Sequence, residues 1–221
     1  MKSNIIDSWK KNASEWIKVI QNQDIPSRKF TNKAIEETII GIKGKNMVDI
    51  GCGEGWLVRK MGALGWQATG LDAIPDLVDE AKRKSKDSFY VFTYEDIISG
   101  KSIPNGPFDV ATFNFCIYAK EGLQPLLKNT LAQLATKGTL VIQTLHPYFL
   151  MANALVYKSQ WLQDSWKGLP GNFEDGHTWY ARTMEDWIAE IQQLPNTDFE
   201  IKEVINDEGK PISLIIKIKK Q

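Results

Sequence analysis

The chain has 221 residues, with 27 basic side chains set against 27 acidic ones. That length suits one domain with a real core. The even charge argues against a general DNA or RNA binder, which carries a basic excess. Cys52 and Cys116 lie in apolar strand-end contexts and fit free thiols in a reducing compartment, not a disulfide framework. No signal peptide is legible, and no apolar run approaches a membrane span. A soluble cytoplasmic protein, not bound to a membrane, is expected.

Residues 4–20 carry Ile5, Trp9, Ala13, Trp16 and Ile20 at three- and four-residue spacing, which predicts a helix. A polar loop at 21–29 and a second helix at 30–42 follow. Strands are expected at 46–50, 66–71, 89–93, 108–114 and 139–145. The turn Pro104-Asn105-Gly106-Pro107 precedes the fourth. Helices near 75–85 and 123–135 separate them, the latter ending at Lys137-Gly138. Several strands are apolar without alternation, as a sheet covered on both faces requires. The pattern from 46 to 145 is that of an α/β doubly wound sheet.

Residues 146–182 break the pattern and read as a loop-like, aromatic insertion. A helix near 184–193 follows, then strands at 199–205 and 212–218. Their short connection implies an antiparallel pair. The chain thus divides into an N-terminal helical cap (1–44), a core (45–145), a lid-like insertion (146–182) and a closing helix and hairpin (183–221).

The first strand runs into Gly51-Cys52-Gly53-Glu54-Gly55, and helix-forming residues start at Trp56. Glycine is needed where φ is positive or where a ligand approaches too closely for a Cβ. A helix that starts there aims backbone N–H groups at the ligand. Asp72 ends the second strand, where a carboxylate can accept from both ribose hydroxyls of an adenosine; capping the next helix is its other reading. A dinucleotide fingerprint keeps a third glycine two residues beyond Gly55, but that position is Leu57.

With these motifs the sequence resembles the class I S-adenosylmethionine-dependent methyltransferases, over nearly the whole chain. Asp49 through Gly55 matches the cofactor loop, and Gly70-Leu71-Asp72 matches the acidic strand end. Tyr94-Glu95-Asp96-Ile97 resembles the adenine-contacting segment. Phe108 through Asn114 matches the fourth strand, and Lys137 through Val141 the turn into the fifth. The resemblance implies a Rossmann-like, seven-stranded sheet whose reversed last strand inserts into it. Among these enzymes the chain is most similar to small-molecule enzymes of the ubiquinone-biosynthesis O-methyltransferase type. There an arginine after a loop like Pro26-Ser27 pairs with the methionine carboxylate, the role implied for Arg28.

The cofactor set implied is therefore Arg28, Asp49, Gly51, Cys52, Gly53, Gly55, Asp72, Ala73, Glu95, Asp96 and Asn114. Glu95 or Asp96 would accept from the adenine amine, and either can instead cap a short helix. Asn114 would lie beside the transferring methyl. No Asn/Asp-Pro-Pro-Tyr/Phe run follows the fourth strand, which disfavours methylation of DNA amino groups. Cys116 follows Phe115 where a cytosine C5 enzyme would have a proline. No acidic or histidine cluster has metal-ligand spacing, and no metal is expected.

Candidate substrate contacts are Trp9, Tyr118, Trp179, Tyr180 and Arg182, with Arg182 able to bind an anionic group. His146 and His177 are the candidate bases, because histidine can take a proton at neutral pH. The reading is in-line methyl transfer to an oxygen or nitrogen of a small molecule, leaving S-adenosylhomocysteine. An RNA or protein methyltransferase, a non-catalytic cofactor binder and a nicotinamide oxidoreductase stay open as alternatives. The substrate and the oligomeric state are not legible.

Overall fold

A computed structural model describes residues 2–221, with side chains from Ile5 onward. Two helices open the chain, α1 (Lys2–Asn22) and α2 (Arg28–Ile40). Then come β1 (Asn46–Ile50), α3 (Trp56–Ala63), β2 (Gln67–Asp72), α4 (Pro75–Lys84), β3 (Ser88–Val91) and α5 (Tyr94–Ile98). β4 (Phe108–Asn114), α6 (Leu123–Ala132) and β5 (Leu134–Leu145) complete the alternating part. The remainder is α7 (Tyr148–Ala152), β6 (Gln160–Leu162), β7 (Trp179–Ala181), α8 (Met184–Gln192), β8 (Thr197–Ile205) and β9 (Pro211–Lys220).

Seven strands form one sheet in the order β3-β2-β1-β4-β5-β9-β8. The pairs among β1 to β5 are parallel, and β9 runs antiparallel between β5 and β8. The expected reversed last strand is therefore present. Successive residues of a strand feed opposite cores. Met47, Val110 and Val141 pack with α2, α3 and α4, whereas Val48, Phe113 and Ile142 pack with α6 and α8. Burial on both faces explains why these strands read as continuous apolar runs. β2 and β4 flank β1, so the chain direction across the sheet switches there, where a crevice opens at the carboxyl ends.

Several boundaries differ from the sequence reading. Arg28 begins α2 and is not part of a loop. β5 starts at Leu134, because Lys137 takes a left-handed φ of 64° and makes a bulge inside the strand instead of a turn before it. The stretch 146–182 is not wholly loop-like, since it holds α7 and the β6–β7 pair. Thr93 and Asp96 form a reciprocal capping box that nucleates α5.

α1 packs its apolar stripe inward and also buries Ser8 and Asn12. Both reach the insertion. Trp166 Nε1 donates to Ser8 Oγ at 2.9 Å. Asn12 donates to the Glu174 carbonyl at 2.7 Å and accepts from the Glu174 N–H at 2.9 Å. These bonds join α1 to the insertion, the two parts expected to cover the crevice. Among the described residues, no helix is long and apolar enough to cross a membrane.

Candidate active site

The carboxyl ends of β1, β2, β4 and β5 open into a cavity of about 910 Å³, which α1 and the insertion also line. That lies near the top of the range for small-ligand sites, roughly 300–1,000 Å³.

The glycine loop forms its floor. Gly51, Gly53 and Gly55 all have left-handed φ, at 77°, 57° and 81°. Their surroundings differ. A Cβ on Gly51 would come within 2.7 Å of the Cys116 Cβ, and one on Gly55 within 2.7 Å of Phe89 and 2.9 Å of Ala81. One on Gly53 would meet nothing nearer than Trp16 Nε1 at 3.5 Å. Of the three, Gly53 alone has open space beside its backbone, and both it and Gly51 line the cavity. Gly55, expected to contact the cofactor, is not among the lining residues and lets α3 pack closely on α4 and β3.

Two buried acids hold this floor. Asp72 Oδ2 accepts from the Gly53 N–H at 2.8 Å and Oδ1 from the Ile74 N–H at 2.9 Å. The Ile74 bond ties down the turn before α4, whose N-cap is Ile74 without a side-chain cap, and each Asp72 oxygen keeps a second lone pair that a ligand could use. Burial raises its pKa, and the backbone bonds from Ile74, Gly53 and Ala73 oppose that rise. Asp49 is 2% exposed and accepts from Thr112 Oγ1 at 2.6 Å. Burial first, with the neighbouring Asp72 adding, pushes Asp49 up to about 7, against the Thr112 bond. Cys52 is a buried thiol, raised well above its ordinary value by burial, and burial likewise pushes Cys116 up to about 12.

The remaining cofactor candidates separate. Arg28, Ala73, Glu95 and Asn114 line the cavity. Asp96 does not. Its carboxylate accepts from the Thr93 N–H and hydroxyl and pairs with Lys101 at 3.3 Å, so it belongs to the α5 cap. Those Thr93 bonds hold its pKa below the ordinary value. Arg28 lies over the Trp56 ring, 5.0 Å from its centroid, and its pKa is lowered by burial. Glu54 was not singled out from the sequence. It is fully buried and pairs through Oε2 with Arg59 and Lys84.

The other half of the cavity is aromatic. Trp9 meets Trp166 at 4.6 Å and Tyr118 at 6.1 Å between ring centroids, and Trp179 meets Phe149 at 5.7 Å. The Tyr180 N–H donates to the Tyr118 carbonyl at 2.8 Å, docking β7 onto the segment after β4. Trp9, Tyr118, Trp179, Tyr180 and Arg182 all line the cavity, as do both histidines.

The histidines are not equivalent. His146 Nδ1 accepts from the Tyr148 N–H at 2.9 Å, so Nε2 carries the proton and donates to Glu203 Oε1 at 2.8 Å. Neither nitrogen keeps a free lone pair in that arrangement. His177 Nδ1 lies 3.0 Å from the Thr178 carbonyl, which can only accept. The proton is therefore on Nδ1, and Nε2 is a bare acceptor. Burial lowers the His177 pKa, partly offset by the Thr178 bond, which keeps the ring neutral at pH 7.

Among the described residues, seven buried side-chain polar atoms lack a hydrogen-bond partner. Six belong to cavity-lining residues: Glu54 Oε1, Asn114 Oδ1, Ser165 Oγ, His177 Nε2, and Nε and Nη1 of Arg182. Folding rarely leaves such atoms unpaired, and here most of them belong to residues around this one cavity. No group of three or more His, Cys, Asp or Glu among the described residues is placed to hold a metal ion.

Comparison with known proteins agrees with this geometry. A methyltransferase domain profile matches residues 27–193. The chain is 27% identical over 124 residues to a ubiquinone biosynthesis O-methyltransferase of Rhodopseudomonas palustris, covering 56% of this chain and 48% of that protein. It thus spans about half the length of that curated relative. The fold matches an S-adenosylmethionine-dependent methyltransferase of Mesorhizobium loti with a TM-score of 0.65 at 17% identity, covering 85% of this chain and 96% of that one. It also matches the 1,6-didemethyltoxoflavin-N1-methyltransferase of Burkholderia thailandensis, solved with its substrate and S-adenosylhomocysteine. That likeness has a TM-score of 0.69 at 13% identity and covers 100% of this chain and 88% of the other. The glycine floor, the acid at the end of β2, the inserted antiparallel strand and the matching domain profile together assign the chain to the class I S-adenosylmethionine-dependent methyltransferase family.

Proposed function

We propose that the protein transfers the methyl group of S-adenosylmethionine to an oxygen or nitrogen of a small molecule held beneath the cover. The observation that carries this is the set of unpartnered polar atoms around one cavity, part over the glycine floor and part in the aromatic half. When bound, S-adenosylmethionine would supply a methyl group already activated on a sulfonium, open to in-line attack at carbon with S-adenosylhomocysteine as the leaving group.

The chain's own residues then have distinct tasks. Gly53 lets the ligand approach the backbone, and Asp72 offers its remaining lone pairs to the ribose hydroxyls. Arg28, half-buried over Trp56, faces the methionine carboxylate. Glu95, at the exposed rim, accepts from the adenine amine, and Asn114 Oδ1 lies beside the reacting centre. His177 Nε2 takes the proton that the acceptor gives up as its bond to carbon forms. His146 has no part in that transfer, because both its nitrogens are engaged. Alignment of two bound reactants supplies much of the rate. The relatives named for O-methylation favour oxygen, and the neighbour named for N1 methylation keeps nitrogen open.

Calorimetric titration with S-adenosylmethionine, S-adenosylhomocysteine and NAD tests the reading. Micromolar binding of the first two without NAD is expected. Binding of NAD alone, or of none of the three, would overturn it.

A further inference from the structure

Arg182 is the most costly side chain in the aromatic half. It is 4% exposed and permanently charged. Nη2 alone serves the fold, donating to the carbonyls of Ala119 at 2.9 Å and Lys120 at 3.1 Å. Nη1 and Nε have no hydrogen-bond partner. The nearest acid, Asp186, stands 3.9 Å from Nε and is one-third exposed. The rings of Tyr180 and Trp187 hold the guanidinium in place, 5.1 and 5.0 Å from its carbon. A structural clamp needs only the Nη2 bonds. The free donors of a fixed, buried cation match a ligand anion.

We infer that the acceptor is an aromatic carboxylic acid whose carboxylate is held by the free donors of Arg182, while its ring lies among the aromatic side chains of the cavity. This rests on the small-molecule reading above and names the class of that molecule. The aromatic body follows from Trp9, Tyr118, Trp166 and Trp179, which line the same cavity. A monoanion is favoured over a phosphate or phosphonate dianion. Asp186, Glu190 and Glu121 already place negative charge around the guanidinium, so a second ligand charge would be repelled. His177 lines the same cavity and its Nε2 has no hydrogen-bond partner, so the molecule's nucleophile is assigned to it and its acid to Arg182.

The test is calorimetric titration with matched pairs that differ mainly in charge: benzoate against benzamide, and 2-naphthoate against 2-naphthamide. Phenylphosphonate supplies the dianion. Each is titrated into the protein with and without S-adenosylhomocysteine. The acids should bind at least tenfold more tightly than their amides and more tightly than phenylphosphonate. Arg182→Gln should erase the preference while S-adenosylhomocysteine still binds. Should that variant fail to fold, the ranking on the unaltered protein decides alone. Equal affinities, tighter amides, tighter phenylphosphonate, or no acid binding below about 1 mM overturns the inference. So does a preference that survives in a folded Arg182→Gln protein. Failure of S-adenosylhomocysteine to bind would instead remove the methyl-transfer reading and leave the acid-against-amide ranking to be judged separately.

Discussion

Asp49 makes the stability of the fold report on the site. Its carboxyl is 2% exposed and pushed from 3.8 up to about 7, chiefly by burial. The folded protein therefore holds the Asp49 proton more tightly than the unfolded chain does. The stabilisation is full below pH about 4 and is lost as the pH rises through about 7. With those two values, linkage gives roughly 3 kcal/mol at pH 5 and almost nothing at pH 8. Asp49→Asn keeps a carbonyl to accept the Thr112 hydroxyl and has no proton to lose. Relative to that variant, the unaltered protein should lose roughly 2–3 kcal/mol between pH 5 and pH 8. For a chain of this size that is roughly 5–10 °C in Tm. Urea unfolding of both proteins at the two pH values, followed by tryptophan fluorescence, measures it. A difference between the two proteins that stays constant from pH 5 to pH 8 would refute an Asp49 that is protonated in the fold.

The glycines divide by readout. Gly55→Ala should destabilise by more than about 2 kcal/mol through overpacking on Phe89 and Ala81. Gly53→Ala should cost only about 1 kcal/mol of stability but weaken S-adenosylmethionine binding, and denaturant melts with calorimetry separate the two. Asp72→Ala should weaken cofactor binding at least tenfold, since it removes the ribose acceptor and frees the Gly53 N–H; near-unchanged affinity takes Asp72 out of the site. Arg28→Ala should weaken S-adenosylhomocysteine at least tenfold yet spare methylthioadenosine, which lacks the carboxylate, and equal losses would deny the pairing. His177→Ala should lower kcat by about 10²-fold, with the acid limb of the unaltered enzyme's pH profile below 6.5 because burial keeps the ring neutral. His146→Ala should cost about 1 kcal/mol of stability and leave turnover nearly intact.

What the sequence made legible was set by short-range backbone chemistry. The alternation of apolar strands and helices, the loop Gly51–Gly55 and the acid at Asp72 are all written within a few residues of where they act. The sequence reading lacked the information where a partner is distant. Gly55 looked like a ligand contact, because Phe89 and Ala81 come against it only in the fold. His146 looked like a base, but its Nε2–H donates to Glu203, 57 residues away. Asp96 is different, since its signature was local. Thr93 and Asp96 have capping-box spacing, and the structure favours that reading over the adenine one. Glu54 sits between two glycines, where its residue type carries no signal of its own.

The polar face of α1 ties these two kinds of legibility together. Helical spacing pointed to Trp9, Ala13 and Trp16 as the packing stripe, and Ser8 and Asn12 fall beside it, where polar residues suggest solvent. They are nonetheless 3% and 2% exposed, because the insertion lies against them. Asn12 returns both hydrogen bonds of the Glu174 backbone, and Ser8 accepts the Trp166 indole N–H. An apolar residue in place of Ser8 would leave the Trp166 N–H buried and unpaired, at a cost of about 1–3 kcal/mol, and one in place of Asn12 would lose both part-buried bonds to Glu174. Hydrophobic burial alone would let the aromatic insertion settle on α1 in many ways, since it has no direction. The directional bonds select one arrangement, with Trp166 against Trp9 and with His177 and Trp166 among the cavity-lining residues. The polarity of α1 therefore helps fix the aromatic half of the cavity, although neither Ser8 nor Asn12 lines it.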